Sequence, residues 1–273
     1  MNPVEVVPGD GPVILGQPHG GTHVPDALAA RLNADGRALA DTDWHIGRLY
    51  EGLLPGATVV RATFHRYVID ANRDPEGASL YPGQNTTGLC PSTDFDGQPI
   101  WQPGQEPSAD EIAARRDAFH APYHAALAAE VERVRARHGV AIVYDCHSIR
   151  SVIPFLFPGT LPVFSIGTDG GATCDKTVER IVADACRDAA GYDSVVNGRF
   201  RGGWTTRHYG RPREGVHAIQ MELAQRAYLA AEAAPWAYDP GRAGRLRGVL
   251  GPILAGLDRL ARSGALTDRR TPQ

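Results

Sequence analysis

Ala141-Ile142-Val143-Tyr144-Asp145-Cys146-His147-Ser148 decides how this chain is read. Four apolar residues run straight into a polar break, the pattern of a strand buried on both faces of a parallel sheet and ending in a loop. The pattern occurs first near the N-terminus, where Val13-Ile14-Leu15 leads into Gln17-Pro18-His19-Gly20-Gly21-Thr22-His23. In open α/β sheets the loops at the carboxyl ends of the strands form the ligand crevice. Two imidazoles, His19 and His147, set there by separate strands indicate a metal site and with it a hydrolase. A single strand-end histidine is more often a hydrogen-bonded structural residue. The pair, with glycines beside His19 that let backbone or substrate come close, shifts that balance.

Outward from these strands the pattern predicts one α/β domain over residues 1–273. Pro25 to Ala40 reads as loop and short helix. Asp41-Thr42-Asp43 offers an N-cap for a helix through Tyr50. Residues 57–62 and 66–70 read as strands, the second breaking at Ala71-Asn72-Arg73-Asp74-Pro75. Gly77 to Gly104 is rich in Gly, Pro, Thr, Asn and Asp and lacks periodicity, which suits a lid or a substrate wall. Asp110 to His138 is the clearest helix, with Ile112, Phe119, Tyr123, Leu127, Val131 and Val134 on one stripe and Gly139 at its C′ position. Further strands are expected at 162–168 and 216–223, and helices at 175–190 and 242–262. Between them, Asn197 to Gly210 is again glycine-rich.

Composition excludes several classes. A net charge of -3 gives no attraction to nucleic acid or to an anionic membrane surface. No run approaches the ~20 apolar residues of a membrane span. Met1-Asn2-Pro3-Val4-Glu5 does not open like a signal peptide, and cytoplasmic residence is expected. Cys90, Cys146, Cys174 and Cys186 show no CxxC spacing, so neither a zinc ribbon nor a disulfide framework is indicated. Cys146 reads as a small buried hydrophobe. The oligomeric state is not legible.

A catalytic zinc needs about three protein ligands and an open position for water. His19 and His147 supply two, and Asp43, His45 and His23 compete for the third place. Asp43 and His45 share a helix start, where the residue that does not bind metal can orient the one that does. Hydrolysis also needs a carboxylate to move the proton of the attacking water. Glu222 is the candidate base, because a charge in the mostly apolar run Ile219-Gln220-Met221-Glu222-Leu223 is costly without a purpose. Asn72 and Arg73, together with Arg150 and Arg207, lie in loops expected to ring the site, and a guanidinium fork matches a carboxylate. The expected partner is therefore a small anionic molecule.

Six separated motifs then occur in order: Pro18-His19-Gly20-Gly21, Asp41-Thr42-Asp43-Trp44-His45-Ile46, Val68-Ile69-Asp70-Ala71-Asn72-Arg73, Asp145-Cys146-His147-Ser148-Ile149-Arg150-Ser151, Asn197 to Gly203 with Thr206 to Gly210, and Gln220-Met221-Glu222-Leu223-Ala224-Gln225. Together they resemble the N-formylglutamate amidohydrolase family, nearly from end to end. The resemblance implies a bacterial enzyme of histidine breakdown that converts N-formyl-L-glutamate to formate and L-glutamate, with a divalent metal, zinc being the expected one. It also implies a fold similar to the zinc carboxypeptidases and aspartoacylases, a mixed central sheet flanked by helices. In those relatives a His-x-x-Glu motif supplies two ligands and a later histidine the third. His19 and His147 match the histidines, but position 22 is threonine, so Asp43 and His45 both stay open. Asn72-Arg73 matches the pair that holds the substrate carboxylate, and Glu222 the general base. The metal, with Arg207 or His208, is expected to stabilise the oxyanion. Three rival readings are a deacylase for another acyl group or amino acid, a metal-free binder of acidic amino acids, and a divalent-metal carboxypeptidase.

Overall fold

Strand β4 (Ala141–Ile149) is buried along its whole length, and so are β2 (Val13–Gln17) and β7 (Val216–Ala224). The computed structural model describes residues 2–79, 81 and 83–267. Its sheet has seven strands in the order β1-β3-β2-β4-β7-β5-β6, where β1 is Val4–Val7, β3 Thr58–Ala62, β5 Phe164–Gly167 and β6 Ser194–Val196. Strands β3, β2, β4 and β7 run parallel. At one edge β1 lies antiparallel to β3, and at the other β5 is antiparallel to β7 with β6 parallel to β5. The sheet is mixed and flanked by helices, as expected of a zinc-exopeptidase-like fold.

Alternation along the strands feeds two cores. Val13, Leu15, Ile142, Tyr144 and Cys146 face one side, packed with residues of the helices Lys176–Arg187 and Pro240–Arg262. Ile14, Ala141 and Val143 face the other, with Tyr123, Leu127, Val131 and Val134 of the helix Ala121–His138. Gly139 closes that helix at φ 73°, as its position predicts.

Several elements differ from expectation. Residues 66–70 form no strand. His65 turns the chain instead, its carbonyl accepting from Val68 N–H at 2.9 Å and its Nδ1 from Tyr67 N–H at 3.1 Å. Tyr67, Val68 and Ile69 are apolar because they are buried, not because they pair. The predicted 110–138 helix is two α-helical pieces, Ala109–Arg115 and Ala121–His138, joined by a wider π-helical turn at Arg116–His120. The helix expected from Trp44 starts at Ile46, after His45 has taken a left-handed φ of 59°. Asp43 therefore caps nothing, and its carboxylate is free to face the sheet. The edge strands β1 and β6, of four and three residues, are too short for a period to register. Described residues of 77–104 contain neither helix nor strand. Among the described residues no helix is long and apolar enough to cross a membrane.

Candidate functional site

The two strand-end histidines meet. His19 lies just beyond β2 and His147 near the end of β4, neighbours in the sheet, with their Nδ1 atoms 3.2 Å apart. Asp43 Oδ2 lies 3.4 Å from His147 Nδ1 and 3.9 Å from His19 Nδ1. All three side chains are buried. Asp43 is carried there by the loop after Leu39. Its own N–H donates to His19 O at 3.1 Å, Arg66 Nη2 donates to Oδ1 at 2.7 Å and Ser148 N–H to Oδ2 at 3.0 Å. Gly21 lets the chain past His19 close in: a Cβ there would lie 2.4 Å from the carbonyl carbon of Thr63.

Each ring is held from behind by a carboxylate. His19 Nε2 lies 2.7 Å from Asp70 Oδ1, and His147 Nε2 3.1 Å from Asp145 Oδ2. A proton on each Nε2, donated to these oxygens, leaves the Nδ1 lone pairs pointing inward, the arrangement that orients metal-binding imidazoles. Burial and the charge of Arg66 pull the His19 pKa down to about 4, so that ring is neutral near pH 7. His147 goes the other way. Burial lowers it, but Asp145 and Asp43 outweigh burial and raise it well above the free imidazole value. The cluster thus calls for positive charge between its rings.

A metal fits that demand. Ligand atoms about 2.0–2.1 Å from one tetrahedral ion lie roughly 3.3–3.4 Å apart, close to the spacings seen. His19, Asp43 and His147 form the one group of metal-ligating type among the described residues. Neither other contender reaches it. His45 turns its Nε2 to the Trp236 carbonyl at 2.9 Å. His23 is fixed through its backbone, with N–H to Thr63 O at 3.2 Å, in a bridge to Phe64.

The register of β4 and β7 pairs His147 directly with Glu222. Gln220, two residues earlier, donates from Nε2 to Glu222 Oε2 at 3.1 Å. Burial raises the Glu222 pKa to about 8; the neighbouring His147 opposes that shift while Asp43 and Asp145 reinforce it. His19, His147 and Glu222 open into one pocket of about 590 Å³, mouth included, whose wall contains Arg66, Arg73 and Arg199. Described residues of the 77–104 loop, among them Tyr81 and Thr87, form part of that wall.

The other expected site residues divide. Arg73 lines the pocket, steadied by Nε to Thr87 O at 2.9 Å and Nη2 to Thr87 Oγ1 at 3.0 Å. Asn72 also lines it, its Oδ1 accepting from Thr205 N–H at 2.8 Å. Arg150 does not line it. Its Nη2 binds Asp96 at 2.8 Å, because β4 runs two residues past His147 before the loop begins. Arg207 is outside as well, on the short helix Trp204–Tyr209 with Nη2 3.3 Å from Asp169. His208 stacks on Trp204 at 4.1 Å on the exposed side of that helix and does not line the pocket.

Three charged groups of the candidate site lie outside the sequence reading. Arg66 and Asp70, four residues apart, were hidden in a run read as a strand. Both are buried charges, which is the signal that could have marked them. Arg199 stood inside a glycine-rich segment with no feature to separate it from Arg201.

Comparison with known proteins agrees with this geometry. Residues 11–229 match the family described as N-formylglutamate amidohydrolase. The chain belongs to the N-formylglutamate amidohydrolase family. It is 44% identical over 247 residues to a protein of Pseudomonas aeruginosa named N-formylglutamate deformylase, covering 90% of this chain and 92% of that one. A Pseudomonas putida protein of the same name is 43% identical over the same shares. The crystal structure of N-formylglutamate amidohydrolase from Ralstonia eutropha JMP134 superposes with a TM-score of 0.78 at 26% identity, over 97% of this chain and all of that one. A gene product of Agrobacterium tumefaciens, 21% identical with a TM-score of 0.71 over 94% and 95% of the two chains, shares the fold. The family's sheet is thus the one that brings His19, His147 and Glu222 together here.

Proposed function

We propose that this chain converts N-formyl-L-glutamate to formate and L-glutamate, as a single metal-hydrolase domain over residues 1–273. The observation that carries the reading is the convergence of two imidazole Nδ1 atoms and an aspartate oxygen in a pocket shared with a buried glutamate and walled by three arginines. His19, Asp43 and His147 would hold a divalent metal, with zinc the best match to an imidazole-and-carboxylate set leaving a place for water. Such a metal supplies Lewis-acid polarisation of the formyl carbonyl and a water acidic enough to react near neutral pH.

The chain's own groups do the rest. Asp70 and Asp145 keep the two rings in one tautomer and orientation. Glu222 takes a proton from the attacking water and delivers it to the glutamate nitrogen as the C–N bond breaks. A carboxyl whose pKa is raised toward the working pH does both more readily than an ordinary one. Arg73 presents its unengaged donors to a substrate carboxylate. Gln220 aligns Glu222 and, accepting from Gly203 N–H at 2.7 Å, ties the base to the pocket wall.

Metal analysis of the purified protein, with formate release from N-formyl-glutamate, N-formyl-aspartate and acetate release from N-acetyl-glutamate, tests this. About one divalent ion per chain and a clear preference for N-formyl-glutamate are expected. Faster turnover of the acetyl or aspartyl compound assigns a related deacylase instead. Binding without turnover in the metal-loaded protein assigns a binder.

A further inference from the structure

The three arginines of the pocket are not equivalent. Arg66 and Arg73 are already matched to acids: Arg66 Nη2 lies 2.7 Å from Asp43 Oδ1, and Arg73 Nη1 3.6 Å from Asp70 Oδ2. Arg199 has no carboxylate within ion-pairing distance among the described residues. It is half-buried, and burial lowers its pKa; the charge of Arg73 adds to that shift, while Tyr81 and the more distant Glu222 oppose it. Its recorded bonds are both to carbonyls, Nε to Leu156 O at 3.0 Å and Nη2 to Asn85 O at 2.9 Å. A guanidinium has five N–H donors. Two bonds are recorded here, so the remaining donors, including both on Nη1, have no protein acceptor among the described residues.

The surroundings hold this fork still. Its central carbon lies 5.4 Å from the ring centroids of both Tyr81 and Phe200. Tyr81 in turn clamps the segment after Arg199, its hydroxyl donating to Gly202 O at 2.9 Å and accepting from Arg201 N–H at 3.2 Å. Two aromatic faces and two carbonyls fix a planar cation in the wall of a pocket that also contains Arg73 and the metal-type cluster.

We propose that Arg199 is the receptor for the distal carboxylate of a dicarboxylic N-acyl amino acid and sets the enzyme's preference for glutamate-type over uncharged side chains. The inference rests on the amide-hydrolase reading above. A side-chain carboxylate provides the counter-charge that the chain withholds. An uncharged side chain leaves the desolvated guanidinium unpaired, and that penalty discriminates more strongly than a lost methylene.

The test compares N-formyl-glutamate with N-formyl-glutamine, nearly the same shape without the charge, in the metal-loaded wild type, Arg199→Gln and Arg199→Lys. In Arg199→Gln, kcat/KM for N-formyl-glutamate is expected to fall about 30-fold or more while that for N-formyl-glutamine stays within about threefold. Arg199→Lys, keeping charge without the fork, is expected to fall between. An equal fall for both substrates would show that Arg199 only braces the loop, and no change for either would remove it from the pocket's chemistry; each overturns the proposal. Calorimetric binding of L-glutamate and L-glutamine to the same proteins decides the matter without turnover. The wild type should bind glutamate more tightly, and Arg199→Gln should lose that difference. If the wild type hydrolyses neither formyl compound, the amide-hydrolase reading fails, while the glutamate-to-glutamine affinity ratio still upholds or overturns the role of Arg199.

Discussion

Glu222 faces His147 across a ladder held in register, because β4 and β7 are buried throughout and a one-residue shift would turn every side chain of the moved strand to the opposite face. Glu222→Gln keeps the shape and the bond from Gln220 but cannot accept a proton. It should lower kcat by about 10²–10⁴-fold with metal content unchanged, read by formate release and metal analysis. Undiminished turnover would take Glu222 out of the mechanism. The third ligand is separable in the same way. Asp43→Ala should strip bound metal, whereas His45→Ala should keep it, since that ring is turned to the Trp236 carbonyl. Metal loss in His45→Ala alone would reverse the assignment. The sequence singled out His19 and His147 because they follow apolar runs at strand ends, and Glu222 because it interrupts one. It left Asp43 and His45 tied because the left-handed turn at His45, which sends one side chain inward and the other out, has no signature in the residue itself. Arg66 and Asp70 were missed for a related reason: a buried ion pair and an apolar strand read alike when charge is counted one residue at a time.

At the scale of elements, the loops rather than the strands carry the precision. The four inner parallel strands were legible from apolar runs, and their carboxyl ends located the crevice. Which loop residues meet inside it depends on close backbone approaches that a pattern does not encode. Gly21 shows this. Its site admits no Cβ, with Thr63 C at 2.4 Å and Phe64 O at 2.6 Å, both backbone atoms that cannot swing aside. Gly21→Ala should push the His19 loop off the end of β3 and destabilise the fold by about 2–3 kcal/mol. The urea midpoint should drop, and metal should bind more weakly, since His19 is two residues away. A midpoint and metal affinity equal to wild type would mean that the loop relaxes freely. The π-helical turn at Arg116–His120 works similarly. It sets His120 Nε2 3.0 Å from the Arg73 carbonyl, steadying the segment that points Arg73 at the pocket. Only a seven-residue step from Ile112 to Phe119 is visible there in the sequence, and a single wide turn does not disturb it.

For the molecule as a whole, the candidate site is a reservoir of buried charge that folding tolerates. Glu222 is the clearest case, its pKa raised from 4.5 to about 8 chiefly by burial. Between those values the folded, metal-free chain holds a proton that the unfolded chain has lost. Stability then falls as pH rises, because the native state binds more protons. The contribution is fully present below about pH 4.5 and is lost through about pH 8, a span worth on the order of a few kcal/mol. His19 runs the opposite way. With its pKa lowered to about 4, it favours folding increasingly as pH climbs from 4 to 6.5, so the wild-type curve mixes both signs. Comparison with Glu222→Gln removes the carboxyl together with its coupling to His147, since the amide does not titrate, while His19 is common to both. In metal-free protein, the variant should gain on the wild type from pH 5 to pH 8 in urea unfolding, reaching a few kcal/mol at the upper end. Adding the divalent ion should shrink that gap, because a nearby cation favours the ionised carboxylate. Parallel stability curves for the two metal-free proteins across this range would show that Glu222 is not held protonated by burial, and its readiness to shuttle a proton would need another cause.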